Sequence, residues 1–181
     1  IGRLVMAVGK HIGDGEPPVD LGQCTMRLGG HTIFADGAFR IDEQVEKALP
    51  RIAKLKPFQG DAWLDFTAFG ESVFQPLHDN WLAPTTNPTP AQLALWRRIA
   101  TEIAKAGIPL HVHAQLENTI SAFLDQIEAI NKEYPVRNLR WTLAHIDQVT
   151  PSHLERMKNL GLYAAVHGRP AVLGQIWKRA H

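Results

Sequence analysis

Histidines are the residues of this sequence whose type and spacing could support chemistry. There are nine among 181 residues. Three of them, His113, His145 and His167, each end or directly follow a short apolar segment. His111 lies two residues before His113, so on a strand both side chains point to the same face. Because neutral imidazole is a good ligand for Zn²⁺ and similar ions, this spacing indicates a metal site.

The alternative interpretation is a polar network of histidines that holds no ion. A single histidine at a strand end is more often a hydrogen-bonded polar residue than a ligand, and three at successive strand ends leave both interpretations open. The other five histidines have no such context: His11, His31, His78, His153 and His181. His153 falls at the third position of a predicted helix, and we expect it to be a solvated surface residue.

Glu71 is the acidic residue that could join these histidines. It follows Gly70 on a long polar connection, residues 68–88, and such connections in α/β proteins are often functional. Glu71 could reach the strand ends as a ligand or as a base, or it could lie on a surface loop; among the candidate site residues we place it with those that bind substrate. The chain has no Gly-x-Ser-x-Gly elbow, phosphate loop or dinucleotide fingerprint. Cys24 has no evident base partner, so metal chemistry is the favoured class.

The elements that must position these residues are clearest after residue 85. Thr89 is a predicted N-cap, with Pro90 at the first helical position and Gln92 completing a capping box. Helix and strand then alternate. Helices are predicted over residues 89–106, 119–131 and 150–160, closed in two cases by Gly107 and Gly161, and strands over residues 108–114, 139–144 and 162–166. This alternation predicts a parallel sheet with helices packed outside it, whose strand ends converge.

The first 85 residues give weaker signals. Residues 41–55 are predicted to be helical, with Pro50 kinking or dividing the helix. Residues 62–66 are a predicted strand, and residues 31–35 are a second candidate. Residues 10–30 are rich in glycine and proline and are expected to form a loop.

Composition excludes several classes of protein. The chain is 45% hydrophobic and 20% charged, which is typical of a folded globular protein. A net charge of +1 gives no electrostatic footprint for nucleic acid, and no apolar run is long enough to span a membrane. The lone Cys24 favours a reducing compartment, so we expect a cytoplasmic protein. The chain starts at Ile1 without an initiator Met, and both ends look cut, so we expect one incomplete domain over residues 1–181.

Three stretches carry a resemblance to a known family. Residues 107–114 read GIPLHVHA, residues 139–145 read LRWTLAH, and residues 160–169 read LGLYAAVHGR. With these stretches the sequence resembles the amidohydrolase superfamily of metal-dependent hydrolases. It is most similar to the amidohydrolase-3 type, which includes N-substituted formamide deformylase-like proteins. A weaker likeness extends back to about residue 45.

The resemblance implies an α/β fold that is a partial (β/α)₈ TIM barrel, roughly strands 3 to 7, with the first and last strands absent. It implies that His113 and His145 bind a divalent metal, with zinc expected, and that His111, His167 and Arg169 lie near the substrate. The implied reaction is hydrolysis of an amide-like, non-peptide C–N bond, or a related ester bond, in a small molecule. The ion would lower the pKa of a bound water toward about 7.

Several features depart from the pattern of the superfamily. Where many relatives carry a carbamylated lysine on strand 4, the corresponding strand here offers Asp65, with Glu71 further on. No separate strand-1 His-x-His motif and no strand-8 Asp general base is found. Residues 111–113 could themselves be the strand-1 pair, although the helix and strand that follow favour strand 5. A barrel needs about 250 residues, so we expect this piece alone to be inactive unless a further chain or segment completes it. The competing hypothesis is a non-catalytic α/β binding or scaffold domain.

Overall fold

Three strands in the first half of the chain form a small antiparallel sheet. The computed structural model describes residues 24–28, 31–35, 45–46, 49–50, 52–59, 64–71, 73–80 and 87–166, and residues 168, 171, 174 and 178. Strand β1 (Cys24–Leu28) lies between β2 (His31–Ala35) and β3 (Leu64–Phe69), antiparallel to both. The loop expected over residues 10–30 was therefore wrong for β1. The five residues of β1 alternate between apolar and polar, which is typical of a strand, although the glycines around them favour a loop.

The second half of the chain has the alternation that the sequence predicted. Helix α1 (Pro90–Lys105), strand β4 (His111–Ala114), helix α2 (Glu117–Asn131), strand β5 (Thr142–His145), helix α3 (Pro151–Leu160) and strand β6 (Tyr163–Ala165) follow one another. The three strands are parallel, in the order β4-β5-β6. This arrangement confirms an α/β fold with parallel strands and is consistent with part of a TIM-like barrel. The barrel strand numbers stay a prediction.

The end of β3 continues this parallel arrangement beside β4. The Phe69 N–H donates to Pro109 O at 2.9 Å, and the His113 N–H donates to Glu71 O at 2.9 Å. Phe69 also pairs with Leu110 in the parallel sense. The carboxyl ends of β3, β4 and β5 therefore lie side by side, where ligands bind in parallel α/β folds.

Local sequence signals explain where the helices begin and end. Thr89 caps α1 and Thr150 caps α3, each with a full capping box and a proline in the first turn. Gly107 and Gly161, with φ of 68° and 71°, adopt the left-handed conformation after these helices. Between residues 45 and 52, each residue that the structure describes is helical, and positions 47, 48 and 51 are not among them. Val45 and Ile52 are buried.

The core lies between the helices and the parallel strands. Trp96 of α1 contacts Phe123 of α2, with ring centroids 4.8 Å apart. Val112 of β4 and Leu143 of β5 are the buried side chains through which the parallel sheet contributes to this core. Burial of each such side chain stabilises the fold by about 1.5–3 kcal/mol. Among the described residues, no helix has the length and apolarity needed to cross a bilayer.

His153 contradicts its expected surface position. It is only 5% exposed. Its Nδ1 accepts a hydrogen bond from the Thr150 N–H at 3.2 Å, which completes the α3 capping box, and its Nε2 lies 2.7 Å from Ser121 Oγ on α2. The expectation was wrong because the first turn of α3 packs against α2, a tertiary contact that helix periodicity does not predict.

Candidate metal centre

Glu71 lies two residues past the end of β3 and reaches across to β4 and β5. Gly70 permits this approach, since a Cβ added at that position would lie 2.9 Å from the His111 Cβ. The Glu71 backbone is fixed by the hydrogen bond that its carbonyl accepts from the His113 N–H. Its carboxylate is thereby held over the ends of the two histidine-bearing strands.

Three side chains converge at this point. Glu71 Oε2 lies 2.7 Å from His145 Nε2 and 3.3 Å from His113 Nδ1. One potential ligand atom from each of the three residues lies within 4.8 Å of the others. Two imidazoles and a carboxylate match the composition of three-ligand catalytic zinc sites, which keep a further position open for water or substrate. The donor set therefore fits a divalent ion.

The second ring nitrogen of His113 faces acceptors only. Its Nε2 lies 2.8 Å from Asp79 O and 3.0 Å from Asp79 Oδ1. Because neither oxygen can donate, Nε2 carries a proton and donates it. Histidines that bind metals commonly donate their other N–H to a carboxylate or carbonyl in this way.

His78 covers one face of the His113 ring. The two rings stack with centroids 3.7 Å apart and planes inclined by 21°. The His145 ring meets His113 edge-on, with centroids 4.6 Å apart. His113 is thus enclosed by ring contacts as well as by hydrogen bonds, and only 7% of it is exposed.

The electrostatics of the site are dominated by its two carboxylates. Burial disfavours a charged His113, but hydrogen bonds to Asp79 and Glu71 raise its pKa to about 9. Burial also disfavours a charged Glu71, yet hydrogen bonds to His113 and His145 hold its pKa far below the ordinary value. The pKa of His78 is lowered by burial and by the charge of His113. The site therefore stabilises positive charge at its centre, which is what a cation requires.

The backbone at the end of β5 is strained. His145 and Ile146 have φ angles of 71° and 45°. Residues other than glycine rarely adopt such backbone angles, and a positive φ is a genuine outlier for a β-branched residue such as Ile146. Strain of this kind costs about 1–3 kcal/mol per residue and concentrates at active sites. Here it turns the chain at the position from which the His145 imidazole reaches Glu71.

Comparison with known proteins is consistent with this geometry. A family model described as the Amidohydrolase family, of the amidohydrolase-3 type, matches residues 20–180. The chain belongs to the amidohydrolase family. This confirms the resemblance noted in the sequence, and it suggests that this amidohydrolase is a metal-dependent hydrolase. No match was found among curated proteins or among solved structures.

The structure brings together most of the residues singled out in the sequence. His113, His145 and Glu71 meet, and the predicted role of Glu71, as a ligand, a base or a substrate-binding residue, stays a prediction. His111 lies on the same face of β4 as His113, beside Gly70, and burial lowers its pKa. His167 and Arg169 lie outside the described residues, as does the side chain of Asp65.

Sequence reasoning missed His78 and Asp79. Both belong to the long connection after β3, just beyond a short 3-10 helix (Gln75–Leu77). No periodicity marks them, since irregular backbone carries none. The length of the connection was the available signal, and it indicated a functional segment without indicating which residues face the strand ends.

Proposed function

We propose that this amidohydrolase is a metal-dependent hydrolase that cleaves amide-like, non-peptide C–N bonds, or related ester bonds, in small molecules. The observation that carries the proposal is the convergence of Glu71, His113 and His145 at the carboxyl ends of adjacent strands. Family membership and the strained turn at His145 and Ile146 support it.

In this proposal His113 binds the ion through Nδ1, His145 through Nε2 and Glu71 through its carboxylate. The contacts of His113 support this choice of atoms, because its Nε2 is already engaged with Asp79. Zinc is the proposed ion, since two imidazoles and a carboxylate suit it. When bound, a divalent ion supplies Lewis-acid polarisation of the scissile carbonyl and an acidified water as nucleophile.

The residues around the ligands would bind and orient the substrate. His111 is largely neutral because burial lowers its pKa, so it can donate or accept a hydrogen bond without adding charge beside the cation. His167 and Arg169 are proposed to contact the substrate from the end of the next strand, by the resemblance alone.

The test is to measure bound metal and hydrolysis in the natural full-length protein. Metal content is determined by elemental analysis, and activity is measured on a panel of N-acyl amides, carbamates and esters before and after chelation. We expect stoichiometric zinc and activity that is lost with chelator and restored by zinc. Glu71→Gln and His145→Asn should weaken both. Asn tolerates the left-handed backbone at position 145, so that variant removes the imidazole without adding strain.

A different pattern would overturn the proposal. Hydrolysis that is unaffected by chelation in protein free of metal would exclude a metal-dependent reaction. Absence of both bound metal and hydrolysis, with His113→Ala reducing only stability, would favour the non-catalytic α/β binding or scaffold domain. His153→Gln is the matched control, because it alters a buried histidine that contacts Ser121 and Thr150 rather than the proposed ligands.

A further inference from the structure

Asp79 is a buried carboxylate that links the start of α2 to the imidazole of His113 on β4. It is 0% exposed and lies just after the 3-10 helix. Its Oδ2 accepts hydrogen bonds from the Leu116 N–H at 2.8 Å and the Gln115 N–H at 3.0 Å. Its Oδ1 lies 3.1 Å from Gln115 N and 3.0 Å from His113 Nε2. One side chain thus contacts both the chain entering α2 and the imidazole at the end of β4.

These contacts leave His113 little freedom. Its backbone N–H is bound by Glu71 O, its Nε2–H is bound by both the carbonyl and the carboxylate of Asp79, and His78 covers a ring face. A flipped ring would direct Nδ1 at the Asp79 oxygens and Nε2 at Glu71. An unprotonated nitrogen that faced Asp79 would meet the lone pairs of two acceptors, the carbonyl oxygen and Oδ1, and the buried hydrogen bonds from His113 to both would be lost.

We propose that Asp79 is a positioning residue for His113. It keeps a proton on Nε2 and thereby presents Nδ1 to Glu71 and His145. The proposal rests on the proposed function only where it speaks of metal affinity, since the orientation of the ring exists without an ion. Removal of an outer partner of this kind typically costs 10- to 100-fold in metal affinity.

A purely structural role is the competing explanation. Asp79 also satisfies the backbone N–H groups of Gln115 and Leu116, and Leu116, the N-cap residue of α2, has an apolar side chain that cannot cap the helix. Loss of Asp79 could therefore loosen α2 and disturb the site indirectly. Gln148 provides the matched control, since its Oε1 accepts from the Glu117 N–H at 3.0 Å and thus supports the same helix start from the connection that follows β5.

The experiment compares Asp79→Asn with Gln148→Ala in the natural full-length protein. Asn has the shape of Asp, but its NH₂ group, in either orientation, must face two of the three N–H donors that contact the carboxylate. Zinc affinity is measured by competition with a chromophoric chelator, and unfolding by urea. The tautomer of His113 is read from ¹⁵N chemical shifts in metal-free protein, at a pH where the imidazole is neutral.

We expect Asp79→Asn to raise the zinc dissociation constant by about 10- to 100-fold and to move the His113 proton partly to Nδ1. Gln148→Ala should lower stability while it leaves the dissociation constant within about 3-fold and the tautomer unchanged. A comparable loss of affinity in Gln148→Ala, or an unchanged tautomer in Asp79→Asn, would overturn the positioning role.

Two further outcomes separate this inference from the proposed function. Wild-type protein whose neutral His113 carries its proton on Nδ1 overturns the positioning role, even if Asp79→Asn does not fold. Wild-type protein that binds no zinc, but whose His113 tautomer depends on Asp79, overturns the metal site and supports the positioning role.

Discussion

His113 and His153 are two buried histidines whose hydrogen-bond partners differ in charge. Their exposed fractions are 7% and 5%. His113 is faced by the carboxylates of Glu71 and Asp79, which raise its pKa to about 9 despite burial. His153 is faced by the Ser121 hydroxyl and the Thr150 N–H, and burial lowers its pKa.

The comparison shows that burial of a histidine does not by itself mark a functional site. Because the Thr150 N–H donates to Nδ1 of His153, the ring proton lies on Nε2 and is donated to Ser121 Oγ. In that tautomer His153 cannot accept the Ser121 proton, so the pair is not a nucleophile with its base. The carboxylate partners of a histidine, rather than its depth, separate the candidate metal centre from the helix cap.

The largest expected effect comes from truncating each histidine. His113→Ala should weaken zinc binding by more than the roughly 100-fold that an outer partner costs, because a ligand is lost. His153→Ala should leave zinc affinity unchanged and lower the free energy of unfolding by about 1 kcal/mol, since it removes half of a capping box. Chelator competition and urea unfolding measure the two quantities. Equal zinc affinity in the two variants would remove the distinction between these histidines.

The second prediction concerns stability in alkaline solution, measured on metal-free protein. The pKa of His113 is raised, so the folded state binds its proton more tightly than the unfolded state does. The resulting stabilisation is fully present below about pH 6.5 and is lost as pH rises through about 9. At about 1.4 kcal/mol per pH unit, it amounts to at most about 3 to 4 kcal/mol.

The measurement is the free energy of unfolding from pH 6 to pH 10, for wild type and for His113→Asn. The wild type should lose more stability than the variant over this range. An identical pH dependence in both proteins would show that the carboxylates do not hold a proton on His113.

The sequence predicted the second half of the fold because its signals are local. The Thr-Pro caps, the glycines at 107 and 161, and the helical periodicity between them depend only on neighbouring residues, and all were confirmed. Strand β5 begins later than expected, at Thr142, because Arg140 has a φ of 56° and leaves the extended conformation. Strand β1 was missed because glycines flank its five residues and because one of its two partners, β3, is distant in sequence.

Of the candidate site, the sequence predicted the residues that lie at the ends of parallel strands. Because such ends meet at one edge of a sheet, the sequence indicated His113 and His145. It could not indicate Asp79, which is 34 residues from His113 in sequence and lies on irregular backbone. The burial of His153 escaped prediction for the same reason, since it depends on the contact of α3 with α2.

The smallest expected effect tests the helix cap with pH. The pKa of His153 is lowered by burial, so the unfolded state binds its proton more tightly. Its stabilisation is therefore present above about pH 6.5 and is lost as pH falls, which is the opposite sign to that of His113. His153→Gln should keep the cap, because Gln92 occupies the same position in the capping box of α1. At pH 8 we expect a change below about 1 kcal/mol, and between pH 8 and pH 5 the variant should lose less stability than wild type.

The reverse exchange, Gln92→His, is the matched control. It places a histidine in the box that begins at Thr89, where the capping hydrogen bonds are exposed to solvent. An exposed imidazole is desolvated little, so its pKa stays near the ordinary value and this variant should show no added sensitivity to acid. Suppose instead that Gln92→His loses as much stability in acid as His153 causes the wild type to lose. The capping hydrogen bond, rather than burial between α2 and α3, would then lower the pKa of His153. The difference in pKa between His113 and His153 would in that case come from hydrogen bonding alone.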